Sequence, residues 1–157
     1  MSPFQRVRRY VACSLVAILL SFGLLPATPA AAAIPLIRSE LNGLCIDIKD
    51  FSLPHGAPLQ TWDCWGGAGQ RWYWDGRLLR SELNGLCIDI KDANPARGAL
   101  LQTWDCWGGA SQRWYWDGRL LRSELNGLCI DIRDFRLPPG APLQMWDCWG
   151  GAGQRWY

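Results

Sequence analysis

Three near-identical repeats, at residues 37–78, 79–120 and 121–157, predict an all-β fold, because each contains short strand-like segments and no long run of helical periodicity. The first two repeats are identical at all but a few positions, and the third is a shorter copy. Segments rich in Ile, Leu, Trp and Tyr alternate with Gly-, Asn- and Asp-containing turns, as in short strands joined by hairpins. Three repeats of four strands have the strand count of a β-trefoil, which we therefore predict.

Residues 1–33 have the composition of a secretory signal peptide rather than of the repeats. Arginines at positions 6, 8 and 9 precede an apolar run over residues 11–25, and small residues follow up to Ala33. This run is shorter than the roughly 20 residues that span a bilayer, so a cleaved signal is favoured over a membrane anchor. We expect a secreted protein in which residues 34–157 form one domain that contains all three repeats.

In the first repeat, the predicted strands lie near residues 36–40, 44–49, 59–65 and 70–74. Asn42-Gly43 and Asp75-Gly76 have the composition of two-residue type I′ turns, in which both residues have positive φ. Residues 51–58 and their counterparts vary most between repeats and contain Pro and Gly, so we interpret them as surface loops. The third repeat stops before its last strand, and residues 34–40 supply an unmatched one, so the two ends are expected to meet.

The length of the repeat and the recurring Trp-Asp pairs also suggest a WD-repeat propeller. Propellers close with roughly 4 to 8 blades, however, and three repeats are too few. A secreted disulfide framework is also foreign to the usual WD blade. The propeller is therefore the less favoured architecture.

Six cysteines lie in the repeats, and an even number in an exported protein indicates disulfides. Two pairings treat the three repeats alike: one within each repeat, as in Cys45 with Cys64, and one between repeats, as in Cys64 with Cys87. We favour the first. The two series, each with one cysteine at the same position of every repeat, are Cys45, Cys87 and Cys129, and Cys64, Cys106 and Cys148.

The composition argues against several other kinds of partner. Three of the 16 basic residues and none of the 14 acidic residues lie in residues 1–33, so no basic stripe remains in the repeats for nucleic acid, and membrane insertion is not expected. A metal site is not expected either, because there is one histidine and no closely spaced cysteine pair. That histidine, His55, is interpreted as a solvated loop residue, and we predict no cofactor.

Strand alternation predicts which side chains share a face. Cys45 and Asp47 lie on one face of their strand, with isoleucines between them in the core, and Gln60, Trp62 and Cys64 share a face of the next strand. A Cys45–Cys64 bridge would therefore bring Asp47 and Gln60 close to Trp62. A carboxylate accepts hydrogen bonds from sugar hydroxyls, and an aromatic ring covers the apolar face of a pyranose. These residues therefore predict a sugar-binding site.

The phrases "GLCIDI", "LQTWDCW" and "QRW", three times in this order, resemble the ricin B-chain-type β-trefoil lectins, which also occur as carbohydrate-binding modules on bacterial glycosidases. The resemblance covers residues 34–157, and "QRW" matches that family's Gln-x-Trp motif. It implies a secreted, non-catalytic lectin with three sites for glycans or polysaccharide, of galactose or xylose type. In each repeat it implies a hydroxyl-binding carboxylate (Asp47, Asp89, Asp131), a stacking ring (Trp62, Trp104, Trp146) and an added polar contact (Gln60, Gln102, Gln144).

The resemblance also implies roles for the two residues of the Gln-x-Trp motif. Its glutamine would steady the site and its tryptophan would lie in the core: Gln70, Gln112 and Gln154, with Trp72, Trp114 and Trp156. Three further tryptophans point to the opposite face of the strand from the cysteines, and we expect them either in the core or at the rim of the site: Trp65, Trp107 and Trp149. Many sugar-binding members carry Asn immediately before the motif, where its amide contacts the ligand, but this chain has Gly69, Ser111 and Gly153.

Alternative roles for these residues remain open. The repeated aspartates could order a turn or strand by hydrogen bonding, and Asp50, Asp63 and Asp75 are interpreted as solvated or ordering residues. The variable loops could bind a protein, as in an inhibitory β-trefoil with no sugar ligand. Catalysis is disfavoured, because no nucleophile elbow or zinc-protease motif is present and three like sites suit binding.

Overall fold

The computed structural model describes residues 34–157, so the predicted signal peptide at residues 1–33 lies outside the described part of the chain. Within residues 34–157, no helix is long and apolar enough to cross a membrane. The helical segments there are short 3-10 turns: Lys49–Phe51, Ala68–Gln70, Lys91–Ala93, Ala110–Gln112, Arg133–Phe135 and Ala152–Gln154. The strands are β1 (Cys45–Ile48), β2 (Leu59–Trp62), β3 (Trp72–Asp75), β4 (Leu78–Ser81), β5 (Cys87–Ile90), β6 (Leu101–Trp104), β7 (Trp114–Asp117), β8 (Leu120–Ser123), β9 (Cys129–Ile132) and β10 (Ala141–Trp146).

The predicted all-β fold is confirmed, although the strands are shorter and fewer than expected. Within residues 34–157, ten of the twelve predicted segments form strands. The other two, at residues 36–39 and 155–156, pair only through isolated bridges such as Ser39 with Trp156. The segment predicted at 59–65 ends at Trp62 because the following residues turn away into a loop held by Gln70.

Antiparallel pairing arranges the repeats around a threefold ring. The strands form one sheet in the order β1-β2-β10-β9-β8-β7 and another in the order β3-β4-β5-β6. Strands β2, β6 and β10 are joined by equivalent pairings from each repeat to the next, namely Pro58 with Gln102, Leu100 with Gln144, and Pro142 with Gln60. The ring therefore closes only when all three repeats are in place.

The two ends of the described domain pair with each other. The Arg38 amide donates to the Tyr157 carbonyl at 2.8 Å, and the Tyr157 amide donates to the Arg38 carbonyl at 2.9 Å. Arg155 also forms an ion pair with Glu40. The predicted meeting of the ends is confirmed, and residues 36–40 supply the strand position that the third repeat lacks.

The core lies inside the ring and beneath its hairpins. Ile46 and Ile48 are buried, as the strand alternation predicts, and Trp72 is 1% exposed. Its indole N–H donates to the Ile46 carbonyl at 3.1 Å, which satisfies the one polar atom of a large buried ring. The same arrangement recurs at Trp114 and Trp156, so the core assignment of these three tryptophans is confirmed.

Both predicted type I′ turns are wrong in detail. Residues 40–43 form a four-residue loop, which is closed by a hydrogen bond from the Ser39 amide to the Leu44 carbonyl. Only Gly43 in this loop has positive φ. The second hairpin has a two-residue loop, but it consists of Gly76 and Arg77, because Asp75 still pairs with Leu78. Positive φ at the first loop position alone is the pattern of a type II′ turn.

Two buried hydroxyls give a test of the core. The Oγ1 atoms of Thr61 and Thr103 are buried without a hydrogen-bond partner within residues 34–157, and the third repeat has Met145 at this position. Removing an unsatisfied buried hydroxyl while keeping its shape is favourable. We expect Thr61→Val and Thr103→Val each to raise the free energy of unfolding by about 1 kcal/mol, measured by urea denaturation.

A matched control is Ser81→Ala, because the Ser81 hydroxyl accepts a hydrogen bond from the Leu83 amide. That variant is expected to be less stable than the wild type. A loss of stability in the valine variants would show that their hydroxyls are satisfied in solution.

Candidate functional sites

Asp47 and Gln60 face each other across β1 and β2 at the base of a surface pocket. They are partners in the strand register, and Gln60 Nε2 donates to Asp47 Oδ2 at 2.9 Å. Asp47 is only 5% exposed. The same pair recurs in each repeat at 2.9 to 3.0 Å, as Gln102 with Asp89 and Gln144 with Asp131. Each pocket therefore has a carboxylate with a fixed orientation at its floor.

Burial changes the acidity of these carboxyls. Desolvation raises the pKa of Asp47 above its ordinary value of 3.8, while hydrogen bonds from Gln60 and Gln70 act in the opposite direction. Burial likewise raises the pKa of Asp89 and Asp131. A carboxylate held in this way is costly for the free protein, and a ligand hydroxyl that donates to it would offset part of that cost.

The predicted stacking tryptophans lie at the ends of their strands, where Trp62 and Trp146 are exposed and Trp104 is half-buried. Trp62 is 41% exposed, and a Cβ added to Gly140, in the loop of the third repeat, would lie 3.5 Å from its ring. Trp104 is backed in the same way by the loop of the first repeat, where the His55 ring stacks on it at 4.3 Å between centroids. Each ring is therefore supported by a loop from another repeat.

His55 is thus not simply a solvated loop residue, as the sequence suggested. Its ring stacks on Trp104, and its Nδ1 lies 3.1 Å from Asp105 Oδ2. The loop that carries His55 could not be placed beside another repeat from one repeat's sequence, because the contact depends on closure of the threefold ring.

Each disulfide links the strand that carries the carboxylate to the chain just beyond the stacking tryptophan. Cys45 bonds Cys64 with a Cα–Cα distance of 5.2 Å, and Cys45 pairs with Trp62 in the strand register. The other bonds join Cys87 with Cys106 and Cys129 with Cys148. The predicted pairing within repeats is confirmed, and it holds the two walls of the pocket together.

The glutamine of the Gln-x-Trp motif lies beneath the pocket rather than in it. Gln70 is fully buried. Its Oε1 accepts the amides of Trp65 and Gly66, and its Nε2 donates to the Asp63 carbonyl at 2.8 Å. Gln112 and Gln154 make the same contacts. These three residues therefore hold the loop that forms one rim of the pocket, and their side chains have no exposed surface.

That loop presents a second tryptophan. Trp65 is 57% exposed, so it belongs to the rim and not to the core. Its ring lies directly over Gly67, where an added Cβ would approach the ring to 1.8 Å. Trp107 and Trp149 lie over Gly109 and Gly151 in the same way. The Trp-Gly-Gly sequence thus fixes an exposed ring beside the pocket.

The opposite rim comes from a short turn after β1. Asp50 and Phe51 both have left-handed backbone conformations, with φ of 55° and 54°. Consecutive left-handed residues other than glycine are uncommon and are concentrated at functional sites. Asp50 and Phe51 line the pocket with Asp47, Gln60 and Trp62. Sequence reasoning placed Asp50 among solvated residues and Phe51 in a variable loop, and so missed both.

The structure therefore brings the predicted residues of each repeat into one small cavity. The cavities of the first, second and third repeats have volumes of about 250, 230 and 350 Å³. In each, the predicted Asp, Gln and Trp lie together, with the unpredicted rim tryptophan beside them. The buried motif glutamine is the one predicted site residue that does not line the cavity.

The three carboxylates differ in the partner of their second oxygen. In the second repeat, Ser111 Oγ donates to Asp89 Oδ1 at 2.8 Å. In the third repeat, the residue equivalent to Ser111 is Gly153, which has no side chain. Asp131 Oδ1 is buried there with no hydrogen-bond partner within residues 34–157. A buried acceptor without a donor is unusual and is satisfied when a ligand supplies one. The arrangement can thus accept hydroxyl groups beside an aromatic surface.

Comparison with known families agrees with this geometry. Residues 34–156 match the model of the ricin-type β-trefoil lectin domain. The chain belongs to this lectin family. The match covers the whole described domain except its last residue, and it supports a carbohydrate-binding protein.

Two solved structures, one of a lectin and one of a glycosidase, are similar to the domain. The C-terminal half of an earthworm R-type lectin, determined with GalNAc, is 26% identical with a TM-score of 0.67, and the match covers 78% of this chain and 97% of that one. An exo-β-1,3-galactanase from Clostridium thermocellum is 25% identical with a TM-score of 0.70, over 77% of this chain and 28% of that one.

A designed threefold-symmetric protein, ThreeFoil, is similar in fold, with 21% identity and a TM-score of 0.72 over 77% of this chain and 94% of that one. A comparison with curated protein sequences gives no significant match.

Proposed function

We propose that the protein is a secreted, non-catalytic, trivalent lectin that binds one sugar unit in each of its three pockets. In each, the aspartate accepts sugar hydroxyls, the glutamine orients the carboxylate, and the exposed tryptophan covers the apolar face of the ring. Residues 1–33 act as a signal peptide, and residues 34–157 are the lectin domain. The three disulfides support an oxidising, extracellular location.

One observation carries this proposal: a buried carboxylate beside a tryptophan at the end of a strand, repeated three times, with the ring exposed in the first and third repeats and half-buried in the second. A role in folding alone does not explain why Trp62 stays 41% exposed next to it. The unpartnered Asp131 Oδ1 in the third pocket supports a ligand that donates a hydroxyl. Three sites that repeat the same residues support multivalent binding.

Galactose-type sugars are the proposed ligands. The earthworm lectin that resembles this chain was determined with GalNAc, and xylose-type sugars are the alternative. A single shallow site of this size binds on the order of millimolar to tens of micromolar. Three sites on one rigid body gain by avidity when they meet clustered glycans, provided that the spacing of the glycans matches.

A glycan array probed with the oxidised protein tests the proposal. We expect binding to galactose-terminated glycans, stronger at high glycan density. The control variant has Trp62, Trp104 and Trp146 replaced together by alanine and is expected to bind no glycan while keeping its fold. Absence of binding to every glycan at high density would overturn the lectin proposal.

The alternative, a protein-binding trefoil, rests on the exposed variable loops. Leu53 and Leu137 lie in these loops and are each 61% exposed. Leu53→Ser and Leu137→Ser are expected to leave glycan binding unchanged. If the array is blank and these variants instead weaken a protein complex, the loops are the functional surface.

Glycan binding is expected to fall on acidification at a pH above 3.8. The carboxyl groups accept sugar hydroxyls most strongly when ionised, and burial raises the pKa of Asp47 above that value. The raised pKa of Asp89 and Asp131 acts in the same direction. The affinity should be measured from neutral pH down to about pH 3.5, with near-UV circular dichroism reporting the fold. Affinity that stays constant through this range would show that no carboxylate contacts the sugar.

A further inference from the structure

The three pockets are not identical, and the main difference lies in one pair of facing positions. One member of the pair is the last residue of the left-handed turn after β1, β5 or β9, and the other immediately precedes the motif glutamine. The repeats carry, in order, Phe51 with Gly69, Ala93 with Ser111, and Phe135 with Gly153. A phenyl ring therefore occurs with glycine, and alanine occurs with serine.

Steric contact explains why these two positions vary together. A Cβ added at Gly69 would lie 3.3 Å from Phe51 Cδ2, and one at Gly153 would lie 3.6 Å from Phe135 Cε1. A side chain larger than glycine would therefore pack directly against the phenyl ring, tightly at Gly69 and in ordinary van der Waals contact at Gly153. The loss of a polar side chain at positions 69 and 153 is thus coupled to the gain of an aromatic one.

The phenyl rings extend the aromatic surface of their pockets. Phe51 lies 5.7 Å from Trp65 between centroids, and Phe135 lies 4.9 Å from Trp149. Both phenyl rings remain almost half exposed. In the second repeat, the small Ala93 stands at this position, so Trp107 lacks such a neighbour. The first and third pockets therefore have an apolar wall that the second pocket lacks.

This wall lies in the same pocket as the carboxylate, because Phe51 lines the first pocket with Asp47 and Phe135 lines the third with Asp131. The same Cβ position on Gly153 that lies 3.6 Å from Phe135 lies 3.9 Å from Asp131 Oδ1. In the second repeat, Ser111 Oγ occupies this place and donates to Asp89 Oδ1 at 2.8 Å. A sugar bound beside the carboxylate would therefore meet a phenyl ring in the first and third pockets, and Ala93 and Ser111 in the second.

We infer that residues 51 and 69, with their equivalents, determine sugar specificity and divide the pockets into two classes. The Phe/Gly pockets of the first and third repeats prefer a pyranose with a methyl-bearing substituent beside the bound hydroxyls. The Ala/Ser pocket of the second repeat shows no such preference. This inference rests on the proposed lectin function and names the substrate class within it.

Two common substituents supply such a methyl group. One is the acetamido group of an N-acetylhexosamine, and the other is the C6 methyl of a 6-deoxyhexose. The acetamido group replaces the C2 hydroxyl of the hexose, and the 6-deoxyhexose lacks the C6 hydroxyl, so each presents a methyl group that the unsubstituted hexose does not have. One buried methyl group is worth about fourfold in affinity. The matched probes are D-galactose, N-acetyl-D-galactosamine and 6-deoxy-D-galactose.

The test uses proteins with one intact pocket. Asp89→Asn with Asp131→Asn leaves the first pocket, and Asp47→Asn with Asp131→Asn leaves the second. In the first-pocket protein, Phe51→Ala with Gly69→Ser installs the second pocket's pair. In the second-pocket protein, Ala93→Phe with Ser111→Gly installs the reverse. Phe51 and Ala93 have φ of 54° and 47°, so the exchange adds no new backbone conformation.

Dissociation constants for the three sugars, measured by NMR titration, give the result. The first-pocket protein should bind at least one methyl-bearing sugar about fourfold or more tightly than galactose, and the exchange should remove this preference. The second-pocket protein should show no preference until Ala93→Phe and Ser111→Gly create one. Which sugar is preferred identifies the substituent.

Equal preferences in both pockets, or preferences that the exchanges leave unchanged, would overturn the inference while the lectin function stands. Binding of a different sugar class on the array, with none of the three probes bound, would also overturn it and leave the lectin function intact. A blank array would overturn both.

Discussion

Replacing Asp47, Asp89 and Asp131 together by asparagine is expected to reduce binding to a glycan surface by at least about 100-fold without loss of the fold. A hydrogen bond to a charged group contributes roughly 1.5–3 kcal/mol, and each pocket loses its charged acceptor. Asparagine keeps the size of the side chain and one oxygen that can accept from Gln60. The loss compounds across three pockets, because the avidity depends on each of them.

The same variant is expected to be at least as stable as the wild type at neutral pH. Burial raises the pKa of Asp47 above 3.8, so the folded state holds this proton more tightly than the unfolded state. The charged carboxylate therefore lowers stability as the pH rises through the folded pKa, and asparagine removes that cost. The difference in melting temperature should shrink below pH 3.8, where both forms are neutral.

These two readouts separate the binding role from an ordering role. If the aspartates serve to order the strands, the triple variant should melt well below the wild type and lose near-UV circular dichroism. A matched control is Asp75→Asn with Asp117→Asn, because these exposed carboxylates pair with Arg80 and Arg122 at 2.8 Å, in hairpins away from the pockets. The control is expected to bind glycans as the wild type does.

Removing one disulfide is expected to give the largest loss of stability. Each bond closes a stretch of 19 residues, which the chain-entropy model values at roughly 3 kcal/mol. Cys45→Ala with Cys64→Ala should therefore lower the free energy of unfolding by about 3 kcal/mol, measured by urea denaturation at constant protein concentration. The glycan affinity of the first pocket should fall more than that of the other two, because the bond joins its two walls.

The equivalent variant in the second repeat, Cys87→Ala with Cys106→Ala, provides the control. It should lower stability by a similar amount but weaken the second pocket. Equal weakening of all three pockets by either variant would show that the disulfides stabilise the domain as a whole and do not act locally on their own sites.

Much of the site follows from sequence because it depends on strand alternation and on repetition. Strand alternation predicts which side chains share a face, and the repeat spacing reduces the disulfide pairings to two, of which Cys45–Cys64 brings Asp47 and Gln60 near Trp62. These relations are local to one pair of neighbouring strands, so the rest of the fold does not alter them. The core position of Trp72 is implied by the Gln-x-Trp motif.

The parts that escaped prediction depend on backbone conformation or on contacts between repeats. Residue types do not indicate a left-handed turn at Asp50 and Phe51, so these pocket residues resembled ordinary loop residues. Trp65 lies on the rim of the pocket because its ring packs over Gly67, and strand alternation does not predict that contact. The stacking of His55 on Trp104 exists only when the threefold ring is closed.

One signal in the sequence could have pointed further. Phe51 occurs with Gly69, whereas Ala93 occurs with Ser111, and this paired change is visible when the repeats are aligned. Without coordinates, nothing shows that positions 51 and 69 touch, since they lie on different segments of the repeat. The 3.3 Å approach turns the paired change into a statement about pocket shape.

Titration of 15N-labelled protein with the sugar that binds best on the array tests the central claim most directly. The indole N–H resonances of the pocket tryptophans, Trp62, Trp104 and Trp146, should shift and saturate. The resonances of the core tryptophans should not shift, because their buried indole N–H groups donate to isoleucine carbonyls. These tryptophans are Trp72, Trp114 and Trp156. Saturable binding that leaves the pocket resonances unmoved, and shifts only tryptophans elsewhere on the surface, such as Trp74 and Trp116, would contradict the account.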